Sequence, residues 1–252
     1  NELKEALKVS PVSSGKEEEK EEVGSVQDDA SVTSSQRAQI TGKAGKSGRE
    51  VAGASGWGGV GKTIETLLFM QDEEVIAHYD AQYWLAFGEN PSILSSLILL
   101  VQLMGIGFPD EFKHIKGEEY TIRFLGRHIS DNIGGCKCLL VLDDVWNPVH
   151  LTQFFSGSEK FLNAFDLLVI SRKERVIEKG LLLEATGIKV DVVDDDMAIV
   201  MIKSYLDIPC EEQPKWVDDN NFLNVLRKCR GLPLAIRMAT AHYQSVKEYA
   251  DR

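Results

Sequence analysis

Apolar and polar positions fall into three regimes along the chain. Through about residue 48, charged and small polar residues dominate: Glu17-Glu18-Glu19-Lys20-Glu21-Glu22 is a charge run, and aromatic residues are absent. Such a stretch buries too little apolar surface to offset its ordering entropy, so 1–48 is expected to be a disordered acidic and Ser-rich segment. From 49 to 189, short apolar runs alternate with amphipathic ones. Cys138 to Leu142 is continuously apolar and ends in Asp143-Asp144; Asp166 to Arg172 has the same form. That pattern predicts strands buried on both faces of a parallel sheet. Ala81 to Phe87 is a further aromatic strand, closed by Gly88-Glu89-Asn90-Pro91. Helical patterns cover Lys62 to about His78, Pro91 to Met104, Gly117 to Ile133, and the stretch after Asn147-Pro148 through Phe155. Val190 to Val193 reads as a short last strand. After it helices dominate: Asp194-Asp195-Asp196 caps one to Leu206, a second spans Asn220 to Cys229, and a third starts at Leu232-Pro233. The prediction is an α/β fold, a parallel sheet flanked by helices over 49–189, followed by a small helical subdomain over 190–252.

The chemistry is concentrated at Gly56-Trp57-Gly58-Gly59-Val60-Gly61-Lys62-Thr63, which fills every fixed position of G-x-x-x-x-G-K-[ST]. Glycines at this spacing let the backbone curl until several N–H groups face one phosphate, and the following helix adds its positive end. Lys62 then reaches the β and γ phosphates, and Thr63 can hold Mg²⁺. The segment feeding this loop, Val51 to Ser55, is rich in Ala and Gly and is expected to be a weak strand. Gly42-Lys43-Ala44-Gly45-Lys46-Ser47 imitates the loop, but Ile40 stands where its first glycine should be. Asp143, following an apolar strand, has the place of a Mg²⁺-side acid, and Asp144 could orient a water near the γ-phosphate. The alternative is that the two carboxylates merely end a strand. Arg172 could touch the γ-phosphate or pair with Glu174.

Composition narrows the reading. Formal net charge is −11 over 252 residues, which argues against a bulk nucleic-acid binder needing clustered cations. Cys136, Cys138, Cys210 and Cys229 lack zinc spacing and fit free thiols in a reducing, cytoplasmic compartment. The five histidines also lack metal spacing. The most apolar run, Ile93 to Met104, is shorter than the about 20 residues that span a bilayer. The chain starts at Asn1 without a signal peptide and reads as a fragment.

Four ordered motifs resemble the NB-ARC module of plant-type immune receptors and apoptotic protease activators, within the STAND class of ATPases. They are the loop at 56–63, Leu-Leu-Val-Leu-Asp-Asp-Val-Trp at 139–146, Leu-Leu-Val-Ile-Ser-Arg at 167–172 and Gly-Leu-Pro-Leu-Ala at 231–235. His78-Tyr79-Asp80 through Trp84 resembles a fifth. The resemblance implies that Gly56 to Thr63, with Ile64 beside them, bind ADP or ATP. It further implies that Asp143 and Thr63 handle Mg²⁺, Asp144 and Lys62 serve slow hydrolysis, Arg172 senses the phosphate and Pro233 leans on the adenine. It implies a signalling switch, ADP-bound off and ATP-bound on, that oligomerises on activation and meets protein partners through flanking domains. The winged-helix subdomain is missing. Gly48-Arg49 stands close before the loop, where the family keeps its apolar-apolar-Gly-Arg motif well upstream. Ile64 replaces a commoner hydroxyl residue. A dedicated ATPase or kinase, and a scaffold that no longer binds nucleotide, are the competing readings.

Overall fold

The computed structural model describes residues 2–9, 49–156, 159–182, 184–206 and 220–250. Five parallel strands form one sheet in the order β2-β3-β4-β1-β5: β1 (Val51–Ser55), β2 (Ala81–Ala86), β3 (Cys138–Asp143), β4 (Asp166–Ser171) and β5 (Thr186–Lys189). Chain order carries β1 to the far edge at β2, then back through β3 and β4. The chain then passes to the other side of β1. All carboxyl ends therefore lie along one edge, and the loop after β1 opens there beside the end of β4. In open α/β sheets this edge is where ligands bind.

Alternation along the strands sends side chains to two cores. One face of the sheet, with Tyr83, Leu85, Leu140, Leu142, Leu167 and Val169, is covered by α4 (Ile93–Leu103), α5 (Glu118–Asn132), α6 (Pro148–Phe154), α7 (Glu159–Leu162) and α8 (Val176–Leu181). Every residue of β3 and of β4 is buried, as the continuous apolar runs require. The apolar helix α4 buries Ile93, Leu97, Leu100 and Val101 but leaves Leu99 and Leu103 exposed, so only one of its faces is core.

The other face carries Ala52, Ala54, Leu139, Val141, Leu168 and Ile170, covered by α2 (Lys62–Met70), α3 (Glu73–His78) and an element the sequence pattern does not announce. Residues Glu2–Ala6 form a short helix, α1, which packs on β1 and β5. Leu3 and Leu7 are buried there, and Lys4 pairs with Asp72 and Glu74 at the start of α3. Residues 2–9 thus depart from the expected disordered segment; its remainder, with the imitation loop at 42–47, lies outside the described residues. Burying the two leucines contributes about 1.5–3 kcal/mol each relative to exposure, beside the Lys4 pairs that also hold this short helix.

This packing also corrects the expectation for β1. Val51 to Ser55 forms a regular strand between β4 and β5, and its small residues are what the neighbours require. Ala52 and Ala54 lie under α1, and a methyl group added at Gly53 would press on the end of Ile177 at 3.0 Å.

Two further boundaries move. The helix expected from Lys62 to His78 is broken at Gln71-Asp72, because the Asp72 side chain accepts from the Glu74 amide and caps α3 afresh. The strand expected at 190–193 lies instead at Thr186–Lys189. The Val190 amide makes the last ladder bond, to the Ser55 carbonyl at 2.8 Å, after which Val193 turns to the Gly231 carbonyl.

Beyond the sheet come α9 (Asp195–Tyr205), α10 (Asn220–Cys229) and α11 (Pro233–Ala250). Asp194 caps α9 by accepting from the Met197 amide. Ala198, Ile202 and Ile236 form a small core of their own, with Leu226 and Cys229 packed against it.

Candidate functional site

The glycine-rich loop runs from β1 into α2 at the carboxyl edge of the sheet. Lys62 is the first residue of α2, and its ammonium donates to the Gly56 carbonyl at 2.8 Å and the Trp57 carbonyl at 2.9 Å. The lysine therefore folds back on its own loop. Burial and the nearby Arg172 charge push its ammonium below the usual lysine range, while Asp144 and Asp143 pull the other way. Val60 is buried under the loop, whereas Trp57 is 76% exposed and points outward.

β3 delivers the two carboxylates, and the backbone separates them. Asp143 is the last residue of the strand and is buried; the Thr63 hydroxyl donates to its carboxylate at 3.2 Å. Burial raises its pKa, against the Thr63 hydroxyl and the Asp144 amide, which favour the charged form. Asp144 adopts a left-handed backbone, φ 55°, a conformation Asp tolerates better than most residues. The ladder then resumes one step on, with the Val145 amide donating to the Ile170 carbonyl. This kink turns Asp144 out of the strand and into the cleft.

Because β4 lies between β1 and β3, its end projects between the loop and the carboxylates. Arg172 follows β4 there. Its Nε stands 3.7 Å from the Asp144 carboxylate, and its guanidinium lies 4.3 Å from the centre of the Trp146 ring. It does not pair with Glu174; the nearby Arg175 pairs with Glu178.

The fourth wall comes from the C-terminal helices. The Leu234 amide, in the first turn of α11, donates to the Gly59 carbonyl at 3.2 Å. Gly59 has φ +80°, and a Cβ there would stand 2.8 Å from the Leu234 Cβ, so only glycine allows α11 this close. Together these walls enclose a cleft of roughly 430 Å³ lined by the loop, Thr63, Ile64, both aspartates, Arg172 and Pro233, a size ordinary for a small-molecule site. A second groove of roughly 300 Å³, lined by the ends of β1, β4 and β5 and by α8, shares none of these cleft residues.

The structure thus brings together Gly58, Gly59, Gly61, Lys62, Thr63, Ile64, Asp143, Asp144, Arg172 and Pro233. Gly56, Trp57 and Val60 belong to the same loop but do not line the cleft. Sequence reasoning missed Arg237 and Tyr205, which also line it. Arg237 stands four residues after Pro233, the helical spacing that puts two side chains on one face. Tyr205, at the end of α9, has no comparable signal.

The NB-ARC domain family matches residues 35–206. The chain belongs to the NB-ARC family. NB-ARC is a nucleotide-binding domain, and its phosphate loop here is complete. Among curated proteins, TMV resistance protein N of Nicotiana glutinosa is 28% identical over 210 residues, covering 77% of this chain. The chain spans 16% of that relative's length. Among solved structures, the crystal structure of Cdc6p from Pyrobaculum aerophilum aligns at a TM-score of 0.47 with 17% identity, covering 64% of this chain and 43% of that one. Among the described residues of this NB-ARC chain no helix is long and apolar enough to cross a membrane.

Proposed function

We propose that this NB-ARC chain is an ADP/ATP-binding switch serving signalling in innate defence. The observation that carries the reading is the hydrogen bond from the Leu234 amide to the Gly59 carbonyl. It ties the phosphate loop directly to the last helix, so that a phosphate reshaping the loop also acts on α11. A dedicated hydrolase needs no such tie. In this reading Gly56 to Thr63, with Ile64, hold the phosphates, Lys62 leaving its own carbonyls for them. Arg172 exchanges Asp144 for the terminal phosphate, and Pro233 faces the adenosine side. Asp144 orients a water for slow hydrolysis that resets the switch.

Asp143 and Thr63 fit a Mg²⁺ ion. They are two oxygen donors side by side, the carboxylate buried, and no cluster of three or more His, Cys, Asp or Glu residues accompanies them among the described residues. Phosphate oxygens and water would complete the shell, as Mg²⁺ prefers. The ion would supply charge neutralisation between the phosphates. The curated relative is a resistance protein, and flanking domains beyond this module would carry partner contacts and nucleotide-dependent oligomerisation. Buried, free Cys136 and Cys138 suit a reducing, cytoplasmic setting.

The test is to measure ADP and ATP affinity with and without Mg²⁺, together with turnover. Expected are tight ADP binding, negligible turnover, and a loss of about ten- to a hundredfold in both affinities for Lys62→Ala. Fast multiple turnover would favour a dedicated ATPase. Absence of any nucleotide-dependent thermal shift would favour a scaffold.

A further inference from the structure

Arg172 is long and half exposed, so something must keep its guanidinium at the cleft. Two groups do so. Asp144 stands 3.7 Å from its Nε, longer than a hydrogen bond, and the Trp146 ring lies under its guanidinium at 4.3 Å. A Cβ built on Gly58 would stand 3.6 Å from the Arg172 Cζ, so the guanidinium hangs over the phosphate loop itself.

The ring is well placed for this. Trp146 follows Val145, whose amide donates to the Ile170 carbonyl at 2.9 Å and whose carbonyl accepts from the Ser171 hydroxyl at 2.6 Å. The residues before Trp146 and before Arg172 are thus pinned to each other, and the two side chains leave from fixed, adjacent points. The indole N–H is buried with no protein acceptor, so no hydrogen bond of the ring explains its place; its face does.

We propose that Trp146 is a positioning residue for Arg172, holding its guanidinium over the loop so that a terminal phosphate draws it from Asp144 rather than from open solvent. The proposal rests on the ADP/ATP switch reading. The two holding groups differ in what a phosphate does to them. A phosphate outcompetes one distant carboxylate for a guanidinium because it offers more charge and paired oxygens. The neutral ring offers no charge to compete, so its contact survives the exchange and acts as a pivot. Trp146 therefore favours ATP over ADP without touching either nucleotide.

The test measures the ratio of ATP to ADP affinity in the full 252-residue chain. Arg172→Ala is expected to lower the ratio by about tenfold or more. Trp146→Leu, which keeps an apolar side chain but removes the ring face, is expected to lower it about two- to fivefold. Trp146→Phe, which keeps an aromatic face, should restore most of the ratio, and Trp146→Leu should add nothing on top of Arg172→Ala. If Trp146→Leu does not fold, Trp146→Met carries the same comparison. An unchanged ratio in Arg172→Ala removes the sensor reading and the role of Trp146 with it. A lowered ratio in Arg172→Ala beside an unchanged one in Trp146→Leu overturns the Trp146 role alone. So does a Trp146→Phe variant no better than Trp146→Leu at equal melting temperature, or additivity in the double variant; either would make the ring mere packing.

Discussion

Gly59 is the residue at which the loop meets the last helix, and its lack of a side chain is what lets them touch. Alanine there meets two costs. Its backbone must stay at φ +80°, and its methyl would stand 2.8 Å from the Leu234 Cβ. The two together are expected to destabilise the chain by about 1–3 kcal/mol. Since the tie to α11 belongs to the resting loop, Gly59→Ala should weaken ADP and ATP to a similar degree, unlike Arg172→Ala. Thermal unfolding and parallel titrations of both nucleotides check this; an unchanged melting temperature with unchanged affinities would refute it. At this scale the sequence was informative wherever a spacing template exists. That Lys62, Thr63 and Asp143 meet in one cleft was legible because the loop template fixes their spacing relative to glycines and a buried strand. Arg237 could be found only as the helical neighbour of Pro233, and Tyr205 not at all, because it reaches the cleft through the docking of α9, which no local pattern encodes.

Among the elements, α1 carries the sharpest consequence. It is five residues long, too short to be stable alone, and holds on through Leu3 and Leu7. Leu7→Ala is expected to cost about 2–5 kcal/mol if α1 is part of the cooperative unit, as its complete burial implies. Urea unfolding reads this directly, and a midpoint equal to wild type would mean that α1 detaches at no cost to the rest. The element also explains the hardest stretch to read. Judged by propensity, Val51–Ser55 is a weak strand. Its alanines are suited to lie under a helix from a distant part of the sequence, and its glycine to Ile177 of α8. Strands β3 and β4, by contrast, were legible because burial on both faces leaves an unbroken apolar run. The shift of β5 from 190–193 to Thr186–Lys189 reflects a different limit: alternating patterns slide easily when only one residue of the strand, Ile188, is buried.

In the whole molecule, the two edges of the sheet divide the labour. The carboxyl edge gathers the motif residues that line the cleft, and the amino edge holds a buried polar group that fastens the chain as it enters β1. There Asp166 accepts from the Glu50 amide at 2.9 Å and faces the Tyr79 hydroxyl, while Lys137 donates to His78 Nε2. Burial pushes the Asp166 carboxyl above its ordinary value, although the Glu50 amide, Lys137 and Tyr79 oppose the rise. The folded chain then keeps this proton at a pH where the unfolded chain has lost it. The contribution to stability is full below the unfolded pKa, near 3.8, and is lost as pH rises through the folded value. Asp166→Asn keeps an acceptor for Glu50 and removes the titration. Relative to that variant, the wild type should lose stability as pH is raised from about 4 to 7. Unfolding curves at several pH values check it, and a constant difference would refute it.

The hydrogen bond between Leu234 and Gly59 has one more consequence, which follows from thermodynamic linkage alone. If occupancy of the loop alters the free energy of holding α11 in place, then displacing α11 must alter nucleotide affinity by the same factor. A binding partner that grips the last helix would thus tune the nucleotide it never touches, and the nucleotide would tune the partner in equal measure.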